Sequence, residues 1–215
     1  MSERKATVRQ ATVRQATVSR VTGETKVDVR VDLDDPSSVS ISTGIGFFDH
    51  MLDALARHGR FGLVISAQGD LHVDQHHLVE DVGIALGAAI RQALGTDLRI
   101  RRFAHAYAPL DESLARAVVD ISGRSCLVYG VEIRRARVGG FDTDLVEEFF
   151  TAFVANARIA LHLDLIRGRN AHHQIEAAFK ATALALRSAL ARDESLDRVP
   201  STKGTLSEDQ ATGGA

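Results

Sequence analysis

The motif His-His-x-x-Glu occurs twice in the chain and has the residue types of a metal site. Its members are His76, His77 and Glu80 in the first copy, and His172, His173 and Glu176 in the second. On an α-helix each residue advances by about 100°, so the glutamate falls between the two histidines on one turn. Two such turns facing each other would place four imidazoles and two carboxylates around a small volume. That volume suits a pair of metal ions.

The ligand types narrow the choice of metal. Nitrogen and carboxylate donors without thiolate favour octahedral ions such as Mn, Fe, Co or Ni over a closed structural zinc, although zinc stays an open alternative. His50 and Glu148 lie in the helices predicted before the two motifs, and they would bring the protein donors to eight, or four for each ion. An octahedral ion would keep two open positions, which is typical of a catalytic site.

A single His-His-x-x-Glu copy is more often a helix start with exposed histidines than a metal site. The repetition at matching places in the chain is what favours metal binding. His105 and His162 have no partners at ligand spacing, so we interpret both as structural histidines.

Apolar periodicity places both motifs at the starts of helices. Val79, Val82, Leu86 and Ile90 trace the apolar face of a helix that ends near Gly95. A second helix is predicted over 175–190, and two others over about 48–55 and 145–159. Alternating residues predict strands over 18–33, 39–42 and 63–67 in the first half, and over 117–121, 126–133 and 161–166 in the second.

The same element order in both halves predicts an α+β fold with an internally duplicated β-β-α-β-α half-domain, and with two sheets that carry two helices each. The expected ranges are 1–17 for a mobile N-terminal extension, 18–95 for the first half-domain, 96–114 for a connection, 115–192 for the second half-domain and 193–215 for a C-terminal tail. The extension holds the near-repeat Ala-Thr-Val-Arg-Gln, whose period is too short for a solenoid.

The composition excludes several classes of function. A formal net charge of -2, with 25% charged and 45% hydrophobic residues, gives no bulk attraction to nucleic acid or to an anionic membrane. The one cysteine, Cys126, cannot form an internal disulfide. No apolar run approaches the roughly 20 residues that span a bilayer, and the polar first residues lack a signal peptide. We therefore expect a cytoplasmic protein.

Further motifs make the chain resemble the imidazoleglycerol-phosphate dehydratases from about residue 19 to residue 206. They are Arg20-x-Thr22-x-Glu24-Thr25, Phe47-Phe48-Asp49-His50-Met51-Leu52, His58-Gly59, Asp74-x-His76-His77-x-Val79-Glu80-Asp81, Ser122-Gly123-Arg124, Gly168-Arg169-Asn170-x-His172-His173-x-x-Glu176 and Pro200-Ser201-Thr202-Lys203-Gly204. Glu148 stands where many members of the family carry a histidine ligand.

The resemblance implies a lyase of histidine biosynthesis that dehydrates D-erythro-imidazoleglycerol phosphate to imidazole-acetol phosphate with two Mn²⁺ ions per site. It also implies half-domains like the second domain of ribosomal protein S5. The expected partners are the small phosphorylated imidazole substrate and further copies of the chain, about 24 subunits with shared sites. Neither nucleic acid nor a membrane is expected as a partner.

The resemblance also implies roles for individual residues. The metal ligands would be His50, His76, His77, Glu80, Glu148, His172, His173 and Glu176. The substrate-binding residues would be Glu24, His50, His58, Arg102, Arg124, Ser201 and Lys203, with Arg20 bordering the substrate. The catalytic residues would be Glu24, Glu176 and His77, and either glutamate could be the base that removes a carbon-bound proton.

Two alternatives stay open on the motifs alone. A metal-storage or metal-sensing cage would use the twin motifs for binding, but it would have no use for the phosphate-binding residues Arg124, Ser201 and Lys203 together. A dinuclear hydrolase would attack a phosphoester with metal-bound water. The reaction product distinguishes a dehydratase from a hydrolase, since dehydration yields a ketone and hydrolysis releases inorganic phosphate.

Overall fold

The protein has two similar halves, which a computed structural model describes over residues 13–96, 99–196 and 200. The first half contains β1 (Gln15–Val21), β2 (Thr25–Asp32), β3 (Val39–Ser42), α1 (Gly46–Gly59), β4 (Gly62–Gly69) and α2 (His76–Leu94). Its four strands form a mixed sheet in the order β1-β2-β4-β3, in which only β3 runs parallel to its neighbour β4.

The second half repeats this arrangement. It contains β5 (Phe103–Leu110), β6 (Ser113–Asp120), β7 (Cys126–Gly130), the short pair β8 (Arg137–Val138) and β9 (Phe141–Asp142), α3 (Leu145–Ala157), β10 (Ala160–Arg167) and α4 (Ala171–Ala189). Its main sheet has the matching order β5-β6-β10-β7, with β7 parallel to β10. The predicted α+β fold with two sheets and two helices for each is confirmed.

The main sheet of each half has three strands before the first helix of that half, where two were predicted. The alternating segment 18–33 is two antiparallel strands, because the chain reverses at residues 22–24. There the Thr22 hydroxyl accepts hydrogen bonds from the backbone N–H groups of Glu24 and Thr25. No apolar residue occurs between Val21 and Val27, so this break in the alternation and Gly23 mark the reversal that the prediction of one continuous strand missed.

Strand β5 lies within the segment 96–114 that was expected to be a connection. Its inner face carries small residues, among them Ala106 and Ala108, whereas Phe103 and Tyr107 on the other face are exposed. Apolar residues on both faces remove the contrast from which an alternating strand is recognised.

The predicted mobile extension 1–17 also ends earlier than expected. Strand β1 begins at Gln15, which pairs with Asp32. The neighbouring Arg14 is buried and donates hydrogen bonds to the Asp34 carboxylate and, at 2.6 Å, to the carbonyl oxygen of Leu190. These contacts tie the start of β1 to the end of α4. Residues 1–12 lie outside the described part of the chain.

The helices of one half pack against those of the other, α2 against α3 and α1 against α4. Fully buried aromatic side chains fill this layer, among them Phe149, Phe153 and Phe179. Over the described range, no helix combines the length and the apolar character needed to cross a membrane.

Helices α2 and α3 approach closely because α2 presents glycines to α3. A Cβ atom at position 87 would meet the Phe153 carbonyl oxygen and would lie 2.8 Å from the Ala157 nitrogen. We expect Gly87→Ala to lower the free energy of unfolding by about 1–3 kcal/mol, because overpacking outweighs the better helix propensity of alanine. Urea denaturation measures this change. Gly46→Ala is the control, since its Cβ would enter open space, and equal stability of the two variants would contradict the close approach.

Candidate active site

Both His-His-x-x-Glu motifs lie in the first turn of a long helix, as predicted. Helix α2 begins at His76, and α4 begins one residue before His172. Side chains just before each helix hold these turns in place: Asp74 Oδ1 accepts from the His76 backbone nitrogen at 2.8 Å, and the Asn170 side chain accepts from the His172 nitrogen at 3.0 Å. The orphan N–H groups of a helix start are satisfied in this way.

The second motif forms a cluster with helix α1. Glu176 Oε2 lies 3.0 Å from His172 Nε2 and 3.2 Å from His50 Nε2. The other oxygen, Oε1, lies 2.6 Å from Lys180 Nζ. The three ligand-type atoms of His50, His172 and Glu176 lie within 4.8 Å of one another, so this group could hold a metal ion.

The environment keeps Glu176 ionised. Burial by itself would raise the pKa of the Glu176 carboxyl, but the hydrogen bond and charge of Lys180, with the hydrogen bonds from His50 and His172, lower it to about 2. A carboxylate that stays charged at neutral pH is a suitable metal ligand. A carboxylate with so low a pKa is a weak general base near neutral pH.

The first motif forms a second cluster with two carboxylates. His77 Nδ1 lies 3.0 Å from Asp70 Oδ2 and 3.7 Å from Glu24 Oε2. These three residues also satisfy the distance criterion for a metal group. The hydrogen bond to Asp70 raises the pKa of His77 against the opposing effect of burial, and the nearby charge of Glu24 adds to the rise.

The last histidine of the second motif is held by a residue outside the motif. His173 Nδ1 lies 2.8 Å from Glu112 Oε2, in the hairpin between β5 and β6. Glu112 Oε1 accepts from the backbone nitrogens of Arg169 and Asn170 at 3.0 and 2.8 Å. The hydrogen bond from His173 has the largest effect on the pKa of the Glu112 carboxyl, and the two backbone hydrogen bonds add to it. Together they hold this pKa well below its usual range.

Within the described part of one chain, no metal-type cluster combines residues of the two motifs. The helices explain this separation, because α4 packs on α1 whereas α2 packs on α3. His76, Glu80 and Glu148 are half-buried and belong to neither cluster. Over the described residues, the Glu80 and Glu148 carboxylates have no hydrogen bond or ion pair, so both remain available to a ligand.

The donor set fits an octahedral divalent ion. Imidazoles and carboxylates line both clusters, and the exposed Cys126 belongs to neither. Asp70 Oδ1, beside His77, is buried without a hydrogen-bond partner in the described structure. A buried orphan oxygen is costly unless it is satisfied by another group, such as water or an ion.

The predicted substrate-binding residues occupy more than one place. His58 is an exposed residue. Partial desolvation of its ring and the charge of Lys180 lower the pKa of His58, and the charges of Glu176 and Asp53 oppose this effect. Arg20 Nε donates to Asp81 at 2.7 Å. Ser201 and Lys203 lie outside the described residues.

The two predicted phosphate-binding arginines differ in their contacts. Arg102 donates to the Asp120 carboxylate at 2.8 and 3.3 Å and to the Pro200 carbonyl oxygen at 2.6 Å. Arg124 is exposed and follows the left-handed Gly123. The exposed guanidinium of Arg124 is free to turn towards an anion, whereas the guanidinium of Arg102 is already paired with the Asp120 carboxylate.

Three residues of these clusters were missed by the sequence reasoning: Asp70, Glu112 and Lys180. Lys180 could have been found, because it follows Glu176 by four residues on one helix, which is the spacing of a helical ion pair. Glu112 could not be found because β5 was not predicted, and without β5 the sequence does not indicate that Glu112 lies in a hairpin. Asp70 is separated from His77 by a loop whose path the sequence does not specify.

The chain is similar to known proteins over most of its length. A family model described as imidazoleglycerol-phosphate dehydratase matches residues 43–186. A protein of that name from Methylobacillus flagellatus is 56% identical over 189 residues, which cover 87% of this chain and 96% of the relative. One from Lacticaseibacillus casei is 53% identical over 188 residues, or 87% of this chain and 97% of the relative.

Solved structures give the same match. The crystal structure of imidazoleglycerol-phosphate dehydratase from Staphylococcus aureus has a TM-score of 0.76 and 43% sequence identity, and covers 83% of this chain and 99% of its own. A structure from Pyrococcus furiosus, in complex with (S)-C348, has a TM-score of 0.76 and 37% identity, and covers 88% of this chain and 100% of its own.

Proposed function

The chain belongs to the imidazoleglycerol-phosphate dehydratase family, and from this premise we propose that it converts D-erythro-imidazoleglycerol phosphate to imidazole-acetol phosphate at a dinuclear manganese centre. Family membership makes it a dehydratase of histidine biosynthesis. The observation that carries the finer proposal is the pair of imidazole–carboxylate clusters, one within the first half and the other between α1 of the first half and α4 of the second. We place this reaction in the cytoplasm.

Eight side chains would hold the two manganese ions. They are His50, His76, His77, Glu80, Glu148, His172, His173 and Glu176. When bound, the ions supply Lewis-acid chemistry to the imidazole ring of the substrate and a template that orients it. The low pKa of Glu176 and the absence of thiolate from both clusters support hard, octahedral ions over a closed zinc site.

Because one chain separates its two motifs, we propose that a neighbouring copy completes each site. The first motif of one subunit would then meet the second motif of another across a shared interface. Such a contact joins two different surfaces of identical subunits, and contacts of this kind form closed rings when the rotation between subunits closes. We propose 24 subunits, as implied by the family resemblance.

We propose Glu24 as the base. Both oxygens of Glu176 already contact other side chains, whereas the Glu24 side chain is 56% exposed and close to His77. The Glu24 carboxylate would take the proton from the carbon next to the one that loses its hydroxyl. The electron pair of that C–H bond becomes the double bond of an enol, which tautomerises to the ketone. The hydroxide leaves with the electron pair of the broken C–O bond, and the proton that Glu24 has accepted is then released to it, so the net loss is one water.

Positive groups would hold the substrate phosphate. Arg124 suits this role because its guanidinium is exposed, and guanidinium groups bind phosphate oxygens in pairs. Arg102, Ser201 and Lys203 would complete the phosphate-binding site, with His58 and Arg20 bordering the substrate. Arg102 would also have to keep or exchange its bond to Asp120 when phosphate binds.

Product analysis tests this function. We expect the protein, loaded with Mn²⁺ and incubated with imidazoleglycerol phosphate, to yield a ketone and no inorganic phosphate. Phosphate release would instead favour a dinuclear hydrolase. Stoichiometric manganese binding without turnover would favour a storage or sensing protein. Metal-stripped protein is the control, and it should regain activity when Mn²⁺ is restored.

A further inference from the structure

The second histidine of each motif is held at the same ring atom by a carboxylate from outside the motif. His77 Nδ1 lies 3.0 Å from Asp70 Oδ2, and His173 Nδ1 lies 2.8 Å from Glu112 Oε2. The first histidines differ, since His172 uses Nε2 to contact the Glu176 of its own motif. The shared feature therefore belongs to one position of the duplicated motif.

A carboxylate at Nδ1 determines what the other ring nitrogen can do. It keeps the proton of the neutral imidazole on Nδ1, so the lone pair is on Nε2. It also fixes the plane of the ring. Carboxylates that hold metal-binding histidines in this way raise the basicity of the ligand and set its direction.

We propose that Asp70 and Glu112 are positioning residues, each of which presents Nε2 of the second histidine of a motif to one manganese ion. This inference rests on the proposed dinuclear centre. Asp70 follows β4 and Glu112 lies between β5 and β6, so the two halves perform the same task from different elements.

The two supporting carboxylates come from different elements for a structural reason. Glu24, in the β1–β2 hairpin, is the topological counterpart of Glu112 in the β5–β6 hairpin. Glu24 nevertheless stays 3.7 Å from His77, because Asp70 already holds that ring. One hairpin glutamate is thereby fixed as a support, and the other is left with an exposed carboxylate that can reach the substrate.

The two carboxylates also differ in how they use their oxygens. Both oxygens of Glu112 accept hydrogen bonds, Oε2 from His173 and Oε1 from two backbone N–H groups and the Ser113 hydroxyl. A glutamine has one acceptor oxygen, so its NH₂ group would face either His173 Nδ1 or those backbone donors. With NH₂ facing Nδ1, the proton of His173 moves to Nε2 and blocks it as a ligand.

Asp70 has no second set of donors to satisfy, because its Oδ1 has no partner in the described structure. An asparagine could therefore turn its oxygen towards His77 Nδ1. We expect Asp70→Asn to keep most of the positioning, and Asp70→Ala to lose it.

Manganese binding to the metal-stripped protein tests the inference, measured by equilibrium dialysis with MnCl₂ alone. We expect Glu112→Gln and Asp70→Ala to raise the Kd of one ion per chain by about 10–100-fold, the usual effect of removing such a support. Asp70→Asn should have a smaller effect than Asp70→Ala. The matched controls Glu132→Gln and Asp28→Asn change exposed or half-exposed carboxylates outside both clusters and should bind as the unmodified protein does.

Thermal unfolding of each metal-free variant verifies that the fold persists. An unchanged Kd in Glu112→Gln and Asp70→Ala would overturn the inference. So would complete loss of one ion, equal to that in His77→Ala or His173→Ala, since it would make these carboxylates ligands. Equal effects of Asp70→Asn and Asp70→Ala would overturn it as well. Failure of the unmodified protein to bind manganese would instead reject the proposed centre.

Discussion

Replacement of His77 with alanine is expected to abolish dehydration and to lower the bound manganese. His77 is a proposed ligand whose Nδ1 is held by Asp70, so its loss removes the Nε2 donor of the first motif. A metal ion contributes several kcal/mol to a charged transition state, so we expect kcat/KM to fall by about 10³-fold or more. The rate of ketone formation and the metal content by elemental analysis measure the two effects.

The control for this variant is His162→Ala. His162 is an exposed histidine of β10 that belongs to neither metal-type cluster in the described structure. Its replacement should leave both activity and manganese content near those of the unmodified protein. Full activity of His77→Ala would refute the ligand assignment. Loss of activity with an unchanged metal content would limit the role of His77 to the substrate.

Glu24→Gln is expected to lower kcat by about 10²–10⁴-fold, the usual contribution of a general base, while manganese still binds. The amide keeps the size of the side chain but cannot accept a proton. Glu176→Gln should behave differently, because Glu176 contacts His50, His172 and Lys180 and is assigned to the metal. It should lose manganese together with activity.

The comparison of these two variants decides which carboxylate is the base. Steady-state rates at saturating manganese, together with metal content, separate a missing proton acceptor from a missing ligand. Glu147→Gln, an exposed glutamate on α3, is the matched control. If Glu24→Gln kept its rate while Glu176→Gln bound manganese normally but was inactive, the base would be Glu176.

The close packing of α2 on α3 brings the helix of the first motif against the helix that carries Glu148. Gly83 and Gly87 allow the backbones to approach, and α3 carries Glu148. Glu148 and Glu80 therefore lie on helices that pack together, although neither has a described polar contact. We expect the Glu80 and Glu148 carboxylates to bind a metal ion only when a neighbouring subunit completes the site.

Much of the local structure could be predicted from the sequence. Helical periodicity identified the helices that carry the motifs, because an apolar stripe every three to four residues must face the core. The repeated motif and element order also predicted the duplicated α+β fold. Local patterns were misleading where both faces of a strand are apolar, as in β5. The turn at residues 22–24 was missed although a polar run with Gly23 marks it in the sequence.

By itself, the sequence determined the donor types and their spacing on each helical turn, because a helix converts residue number directly into direction. The tertiary structure alone decided that α4 packs on α1 and α2 on α3, which separates the motifs within one chain. It also brought Asp70 to His77 and Glu112 to His173. Such contacts depend on loop paths and on the approach of packed elements, and neither is encoded in a short run of residues.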